Sequence, residues 1–326
     1  MSSIDDYSYD IKAIRSSELF TIIISSISSL FPASVVFILI KNWDTLVRGK
    51  TFVQYILMIS IADTISNICM AWGFPNGGSL ECSIQGFIRF FFSRMSWFYT
   101  DVLILQLVYV LLVKPVFFKK KYIDCIIWTL NILLQILPFT TKARYGGDDQ
   151  VDYEICSIYP GKGSSRVAYS MAQYTFNVEL MISYFIITFA TLTLIYYRVF
   201  RTTIFYNLHL IRDTWSTIVW FSIAMMISWV PSTAYAFYFN QSLKNNIVPY
   251  HGIVILNCLN VFQSLYGLSL SIIFYANTES AVKAWLSIIY PTKIDKLENN
   301  IILNSLHDDN DSFSNQSGET VNGIDF

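Results

Sequence analysis

Seven apolar runs, each long enough to cross a lipid bilayer, limit what this chain can fold into. A helix needs about 20 apolar residues to span the hydrocarbon core. Such runs, which we number spans 1 to 7, occupy residues 19–40, 51–72, 82–113, 122–139, 167–197, 216–238 and 247–276. Only 14% of the 326 residues are charged, whereas about a quarter are charged in soluble domains. The sequence therefore predicts an all-α membrane protein built as a seven-transmembrane helix bundle.

The distribution of lysine and arginine predicts the orientation of this bundle. Cytoplasmic segments carry an excess of both residues. With the N-terminus outside, the cytoplasmic segments hold thirteen of them and the external segments seven, while Arg89 and Arg94 lie inside span 3. We therefore expect an external N-terminus. The net charge of −1 gives no indication of nucleic-acid binding.

Three segments outside the spans have predicted roles. Residues 1–18 form an external N-terminal tail. Residues 278–290 are predicted to form a short amphipathic helix on the inner membrane surface, because Val282, Trp285, Leu286 and Ile289 recur at helical spacing. Residues 291–326 are polar and predicted to be a disordered cytoplasmic tail.

The five cysteines divide into two groups. Cys82 begins span 3 and Cys156 lies in the loop before span 5, so both face the oxidising side and are predicted to form a disulfide. The alternative is two free thiols. Cys69, Cys125 and Cys258 fall inside spans and are expected to be small buried residues.

Several classes of function can be weighed on these features. A retinal protein needs a lysine in its last span, and span 7 has none. A transporter or channel, which remains the alternative, would be expected to show internal repeats, broken helices or several intramembrane acids. The acids at depth are Asp63, Asp101 and Glu179, and the breaks are at Pro32 and Pro231. The three histidines lie in separate segments and no phosphate-binding glycine loop is present, so we expect no enzyme, cofactor or metal.

Short motifs in a fixed order resemble the cyclic-AMP-receptor-like family of G-protein-coupled receptors, over roughly residues 15 to 290. They are Cys82 with Ser96-Trp97-Phe98-Tyr99-Thr100 and Tyr109 to Lys114 in span 3, Glu154-Ile155-Cys156 in the loop, Ser228-Trp229-Val230-Pro231 in span 6, and Gln263 to Asn277 in span 7. The chain lacks the Asp-Arg-Tyr and Asn-Pro-x-x-Tyr motifs of rhodopsin-like receptors, with Leu107-Val108-Tyr109 and Phe274-Tyr275-Ala276-Asn277 at the corresponding places.

The resemblance implies a plasma-membrane receptor that binds an extracellular ligand and activates a heterotrimeric G protein inside. Its cytoplasmic contacts would come from Lys119, Lys120, Lys121, Arg201 and Arg212, although the positive-inside bias explains these charges equally well.

Span 6 carries a predicted switch. Pro231 removes a backbone hydrogen bond and makes either a hinge or a static kink. Trp229, two residues earlier, is either a wedge that packs at this kink or an aromatic residue of the core, and the family-like motif favours the wedge.

The charges inside span 3 are the main puzzle of the sequence. At 1.5 Å per residue, Arg89 and Arg94 lie roughly 10 and 18 Å below Cys82. Arg94 is neutralised by Glu179 of span 5, or both arginines receive an anionic ligand; Arg89 has the further alternative of snorkelling to the interface. The ligand-binding candidates are thus Arg89, Arg94, Trp97 and Glu179.

Two intramembrane aspartates complete the list of candidate residues. Asp101 lies two turns below Arg94 on about the same face of span 3. Asp63 sits in the middle of span 2, where an unpaired charge costs at least a few kcal/mol. Its expected partner is Asn257 or Asn260 of span 7 or a bound cation, and the alternative is a protonated or water-linked aspartate.

Overall fold

The computed structural model describes most of spans 1 to 4 and 7 and parts of the remainder. The described residues are 4–73, 75–76, 79–112, 120–140, 143–146, 156–160, 219–221, 223–231 and 252–289, with 186, 189, 234, 235 and 238. Helices cover Ile4–Lys41, Thr51–Ala71, Leu80–Leu112, Lys120–Thr140 and Gly252–Asn277, which we name the helices of spans 1, 2, 3, 4 and 7. Residues 219–221 and 223–231 of span 6 are helical, as are residues 186 and 189 of span 5.

The N-terminal segment differs from its prediction. The span 1 helix begins at Ile4, so residues 4–18, predicted as a tail, continue that helix. The predicted amphipathic helix is Glu279–Ile289, which we name the C-terminal helix. Residues 291–326, predicted to be disordered, lie outside the described part.

Length and composition mark several of these helices as membrane-spanning. Within the described residues, three stretches are long and apolar enough to cross a bilayer: Ala13–Lys41, Thr51–Ala71 and Asn257–Asn277. Many of their large apolar side chains point outward, for example Leu30, as expected where lipid replaces water. The chain is a membrane protein.

The bundle has two distinct ends. The span 1 helix packs on those of spans 2 and 7, span 2 also packs on spans 3 and 7, and span 3 packs on span 4. One end holds the disulfide at the start of the span 3 helix, and we name it the disulfide end. The C-terminal helix lies at the opposite end, where the Trp285 ring meets Phe37 in the last part of the span 1 helix, 6.3 Å between centroids.

Hydroxyl and amide groups join the helices of spans 1 and 7 along a buried seam. Ser25 and Ser264 share a hydrogen bond of 2.7 Å between their hydroxyl groups. Nearer the disulfide end, the Asn257 amide donates to Ser17 Oγ and the Thr21 hydroxyl donates to the Asn257 carbonyl. Small polar side chains of this kind let membrane helices approach closely and satisfy one another where there is no water.

A chain of hydrogen bonds fixes the C-terminal helix to spans 1 and 7. Trp285 Nε1 can only donate, and it donates to the Tyr275 hydroxyl at 2.6 Å. Ser34 donates its proton to the Phe31 carbonyl, so Tyr275 is the donor in the 3.0 Å bond between the two hydroxyl groups. The order Trp285 to Tyr275 to Ser34 to Phe31 therefore uses each donor once.

The loop before span 5 folds back over the start of span 3. Strands Ala143–Gly146 (β1) and Ser157–Pro160 (β2) pair antiparallel, and both contact the span 3 helix. Cys156, immediately before β2, is disulfide-bonded to Cys82, with 5.2 Å between the Cα atoms. The predicted disulfide is confirmed. Of the other cysteines, Cys69 is buried as expected, but Cys125 and Cys258 are exposed on the outer surfaces of their helices, so the expectation of burial is wrong for these two.

Candidate functional site

A small polar cavity lies between the helices of spans 2, 3, 6 and 7. It has room for about one water molecule. Each of the four helices contributes to the wall, with Asp63 from span 2, Arg89 from span 3, Trp229 from span 6 and Gln263 from span 7. The cavity therefore gathers one basic and one acidic side chain in the interior of a membrane protein.

The part of the cavity nearer the disulfide end is formed by Arg89 and Gln263. The Arg89 guanidinium donates to Gln263 Oε1 at 2.7 Å. Its carbon also lies 5.9 Å from the centre of the neighbouring Phe90 ring. Arg89 is half-buried and turned into the bundle, so its side chain does not snorkel to the interface.

Between the two charged residues, the wall consists of hydroxyl and amide groups. Ser66 and Ser93 share a 2.9 Å hydrogen bond across spans 2 and 3. Asn67 donates to the backbone carbonyl of Ser264 on span 7, at 3.2 Å. These hydrogen bonds join the helices of spans 2, 3 and 7 around the cavity and line it with polar atoms.

Asp63 forms the deeper part of the cavity. It is buried, and the Ser96 hydroxyl lies near its carboxyl group. Within the described part of the chain, Asp63 Oδ2 makes no hydrogen bond of normal geometry. The hydroxyl and amide groups of the wall suit a water molecule beside Asp63, which is one of the alternatives predicted for this aspartate.

The asparagines expected to pair with Asp63 lie elsewhere on span 7. Asn257 bonds to Ser17 and Thr21 at the disulfide end. Gly267, two turns beyond Asn260, is the span 7 residue that faces Asp63. A Cβ atom built on Gly267 would be 2.9 Å from Asp63 Cβ, so only glycine permits this close approach of spans 2 and 7.

An aromatic cluster lies beside the cavity and joins spans 3, 6 and 7. Trp229 packs edge-on against Trp97, with 4.3 Å between the ring centroids, and lies 6.3 Å from the Tyr266 ring. Thr100 donates to the Ser96 carbonyl, so the Tyr266 hydroxyl donates to Thr100 Oγ1 at 2.9 Å. Trp97 is fully buried in this cluster and is not among the residues lining the cavity.

Arg94 belongs to a different environment, against span 4. It is buried, and its guanidinium donates to Gln135 Oε1 at 2.9 Å. Gln135 in turn donates to the Phe87 carbonyl, and Asn131 donates to the Phe91 carbonyl. These contacts clamp spans 3 and 4 together and hold Arg94 away from the cavity.

Neither of the other two intramembrane acids, Asp101 and Glu179, is found among the residues that line the cavity in the described part of the chain. Asp101 is buried in span 3 and is not part of the cavity wall. Glu179, the predicted neutralising partner of Arg94, lies outside the described residues. Pro231 is helical, like the preceding residues 223–230, and its role as hinge or static kink stays a prediction.

The basic residues predicted to contact a G protein also differ in environment. Lys120 forms an ion pair with Asp124, which accepts a further hydrogen bond from Tyr99 at 3.1 Å. Lys121 is exposed, 5.0 Å above the Tyr122 ring. Lys119, Arg201 and Arg212 lie outside the described part of the chain.

Several cavity residues escape the sequence analysis, and span 3 carries a signal for one of them, Ser93. Gln85, Arg89, Ser93, Ser96 and Thr100 follow one another at intervals of three or four residues, so they share one face of the helix. Gln263 has no comparable signal, because only packing brings it to Arg89. No cluster of three metal-ligating His, Cys, Asp or Glu side chains occurs among the described residues.

Comparison with known proteins identifies the fold. The crystal structure of squid rhodopsin matches this structure with a TM-score of 0.62 at 14% sequence identity, covering 86% of this chain and 86% of that chain. No family model and no curated protein matches the sequence. At this level of sequence identity, the match supports a conclusion about the fold only. The predicted fold class is confirmed: the chain is an all-α bundle with the fold of a G-protein-coupled receptor.

Proposed function

We propose that this chain is a G-protein-coupled receptor of the cyclic-AMP-receptor-like type, in the plasma membrane with its disulfide end outside. An extracellular ligand binds at that end, and a heterotrimeric G protein binds at the opposite end. The fold and the order of the family-like motifs support this proposal. Proteins with this fold are generally not enzymes, and we propose no reaction for this chain.

The observation that carries the proposal is the position of the cavity. It lies below the disulfide end, and Trp229 of its wall belongs to the Trp-x-Pro motif of span 6. A ligand group that entered beside Arg89 would thus be close to the one span expected to bend. A polar cavity with room for about one water also suits a receptor better than a solute path.

The mechanism would be a shift between two arrangements of the bundle. A ligand can shift such an equilibrium only by its difference in affinity for the two states. Contact with the cavity wall would favour one packing of Trp229 against Trp97 and Tyr266. The opposite end of span 6 would then move and open a cleft for the G protein, whose contacts we place at Lys121, Lys119, Arg201 and Arg212.

Lys120 is a weaker candidate for a G-protein contact than its neighbours. Its ammonium group is held by Asp124 and lies 5.7 Å from the Tyr55 ring. Using it for a partner would require breaking an ion pair that is about three-quarters buried.

The proposal is tested by nucleotide exchange on a G protein co-expressed with the full chain. Membranes would be treated with cyclic AMP and a library of small acids, and a ligand that accelerates exchange is the expected result. Trp229→Leu should weaken that response, whereas Trp220→Leu, the same change at an outward-facing tryptophan of span 6, should keep it at equal surface expression.

The transporter alternative predicts the opposite pattern. In that case no compound would change nucleotide exchange, and vesicles containing the chain would take up a labelled solute. That pair of results would contradict the receptor proposal.

A further inference from the structure

We infer that the ligand inserts a single acidic group, a carboxylate or a phosphate, between Arg89 and Gln263, and that Gln263 controls its entry. This inference rests on the proposed receptor function, because it names the chemistry that the same cavity recognises. It is carried by one pair of side chains, Arg89 and Gln263, in contact across spans 3 and 7.

Arg89 makes no ion pair within the described part of the chain. It donates to a neutral amide, and within the described part of the chain no carboxylate lies within 4.0 Å of its guanidinium. A charge at this depth is costly, and arginine is the residue that binds carboxylate and phosphate groups through two parallel hydrogen bonds. An incoming acid would supply a countercharge.

Gln263 is placed to take part in both the empty and the occupied states. Its Oε1 now accepts from Arg89. Rotation of the amide would turn its NH₂ group toward an acid bound to Arg89, so the same side chain would change from acceptor to donor. The Ser66 and Ser93 hydroxyl groups, lower in the same cavity, provide further donors.

The cavity limits how much of the ligand can enter. Room for about one water admits one compact group once Gln263 moves. Asp63 lies deeper in the same wall, and its carboxyl group would repel a second acid. We therefore expect a ligand with one acidic group at the end that enters.

A second arginine–glutamine pair in the same helix provides a matched comparison. Arg94 donates to Gln135 at 2.9 Å, much as Arg89 donates to Gln263 at 2.7 Å. The Arg94 pair is buried between spans 3 and 4, away from the cavity wall. Gln→Glu at each position adds a carboxylate of the same shape beside an arginine, but only Gln263→Glu would close the proposed site with an internal ion pair.

The experiment measures the thermal unfolding of the purified full chain in detergent. Sodium phosphate and sodium acetate would be compared with sodium chloride at equal ionic strength, so that the two sources of acid are separated. We expect phosphate or acetate to raise the unfolding temperature by a few degrees, since a ligand that binds only the folded state stabilises it. Gln135→Glu should keep this rise and Gln263→Glu should lose it.

A titration of the stabilising acid makes the test quantitative. Arg89→Gln should weaken its apparent affinity by about 30-fold or more, the usual effect of removing one partner of a buried charge pair. The inference fails if neither acid stabilises the wild-type chain, or if Gln263→Glu is stabilised as much as Gln135→Glu. A ligand that activates the G protein without an acidic group would overturn this inference alone, whereas acid binding without any G-protein response would overturn the receptor function alone.

Discussion

Arg89 and Arg94 lie five residues apart on one helix, and that spacing gives them different environments. At 3.6 residues per turn, five residues rotate the side chain by about 140° from its starting direction. Arg89 therefore faces spans 2 and 7 and the cavity, while Arg94 faces Gln135 of span 4. A charge pattern that looks like one cluster in the sequence is two separate sites in the structure.

Gly267 is the residue whose replacement tests the close approach of spans 2 and 7. Its added methyl group in Gly267→Ala would stand 2.9 Å from Asp63 Cβ and 3.3 Å from Pro32 Cγ. Neither atom is the end of a flexible side chain, so the helices must move apart. We expect a loss of about 1–3 kcal/mol in the free energy of unfolding, typical of overpacked interiors.

The measurement for Gly267→Ala is denaturant unfolding in detergent. Ser26→Ala is the control, because that hydroxyl is exposed and bonds only to the Ile22 carbonyl of its own helix; its change should stay within about 0.5 kcal/mol. Equal stability of the two variants would mean that spans 2 and 7 are further apart at Gly267 than the structure has them.

At the level of elements, the end of the span 2 helix depends on a side chain from span 3. The helix ends at Ala71, and Gly73, two residues later, has a φ of +95°, a left-handed conformation that glycine adopts readily. The last four carbonyl groups of a helix have no partner within it. The Gln85 amide donates to the Cys69 carbonyl in the last turn at 2.6 Å and to the Gly73 carbonyl just beyond the helix at 2.5 Å.

This cap predicts a distinct order of stability for substitutions at Gln85. Gln85→Leu leaves two buried carbonyl groups without donors, and each such group costs about 1–3 kcal/mol. Gln85→Glu should be worse, since carboxylate oxygens would face those carbonyls at hydrogen-bond distance. Thermal unfolding should therefore rank wild type above Gln85→Leu and Gln85→Leu above Gln85→Glu.

Gln54 offers the control for Gln85. It donates one hydrogen bond, to Val47 O at 3.2 Å in a partly exposed turn, where water can replace a lost partner. Gln54→Glu should thus lower the unfolding temperature less than Gln85→Glu. The reverse order would contradict the capping role.

For the whole molecule, the disulfide is the covalent link that holds the loop before span 5 to the bundle. It joins residues 74 positions apart, and a closed loop of that size restricts the unfolded chain strongly. We expect Cys82→Ser/Cys156→Ser to lose about 2–4 kcal/mol of stability. Ligand response should fall as well, because β1 and β2 would no longer be fixed over span 3.

A reducing agent distinguishes the stability contributed by the disulfide from any effect of replacing a free cysteine. A reducing agent should lower the unfolding temperature of the wild-type chain and of Cys258→Ser, whose exposed thiol is free, but not that of the double variant. If the double variant unfolded at the wild-type temperature, the predicted contribution of the disulfide would be wrong.

The fold was predictable from the sequence to a greater extent than the site. Apolar runs of bilayer length and the pairing of Cys82 with Cys156 follow from properties of single segments and of the two sides of a membrane. The contact between Arg89 and Gln263 does not, because it joins side chains 174 positions apart through the packing of two helices. The same holds for Ser25 with Ser264, where a stripe of hydroxyl groups shows a polar face but not its partner.

The sequence alone determined that the chain forms helices and that these helices lie in lipid. In lipid, the backbone groups of each segment must form their hydrogen bonds within that segment, so a long apolar run is enough to indicate a membrane helix. What only the tertiary structure decided is which polar faces meet. Rotation of each helix about its axis sets the neighbours of Arg89, Arg94 and Asp63, and that rotation depends on small local fits such as Gly267 against Asp63. No one segment encodes those fits, because each requires the shapes of two helices at once.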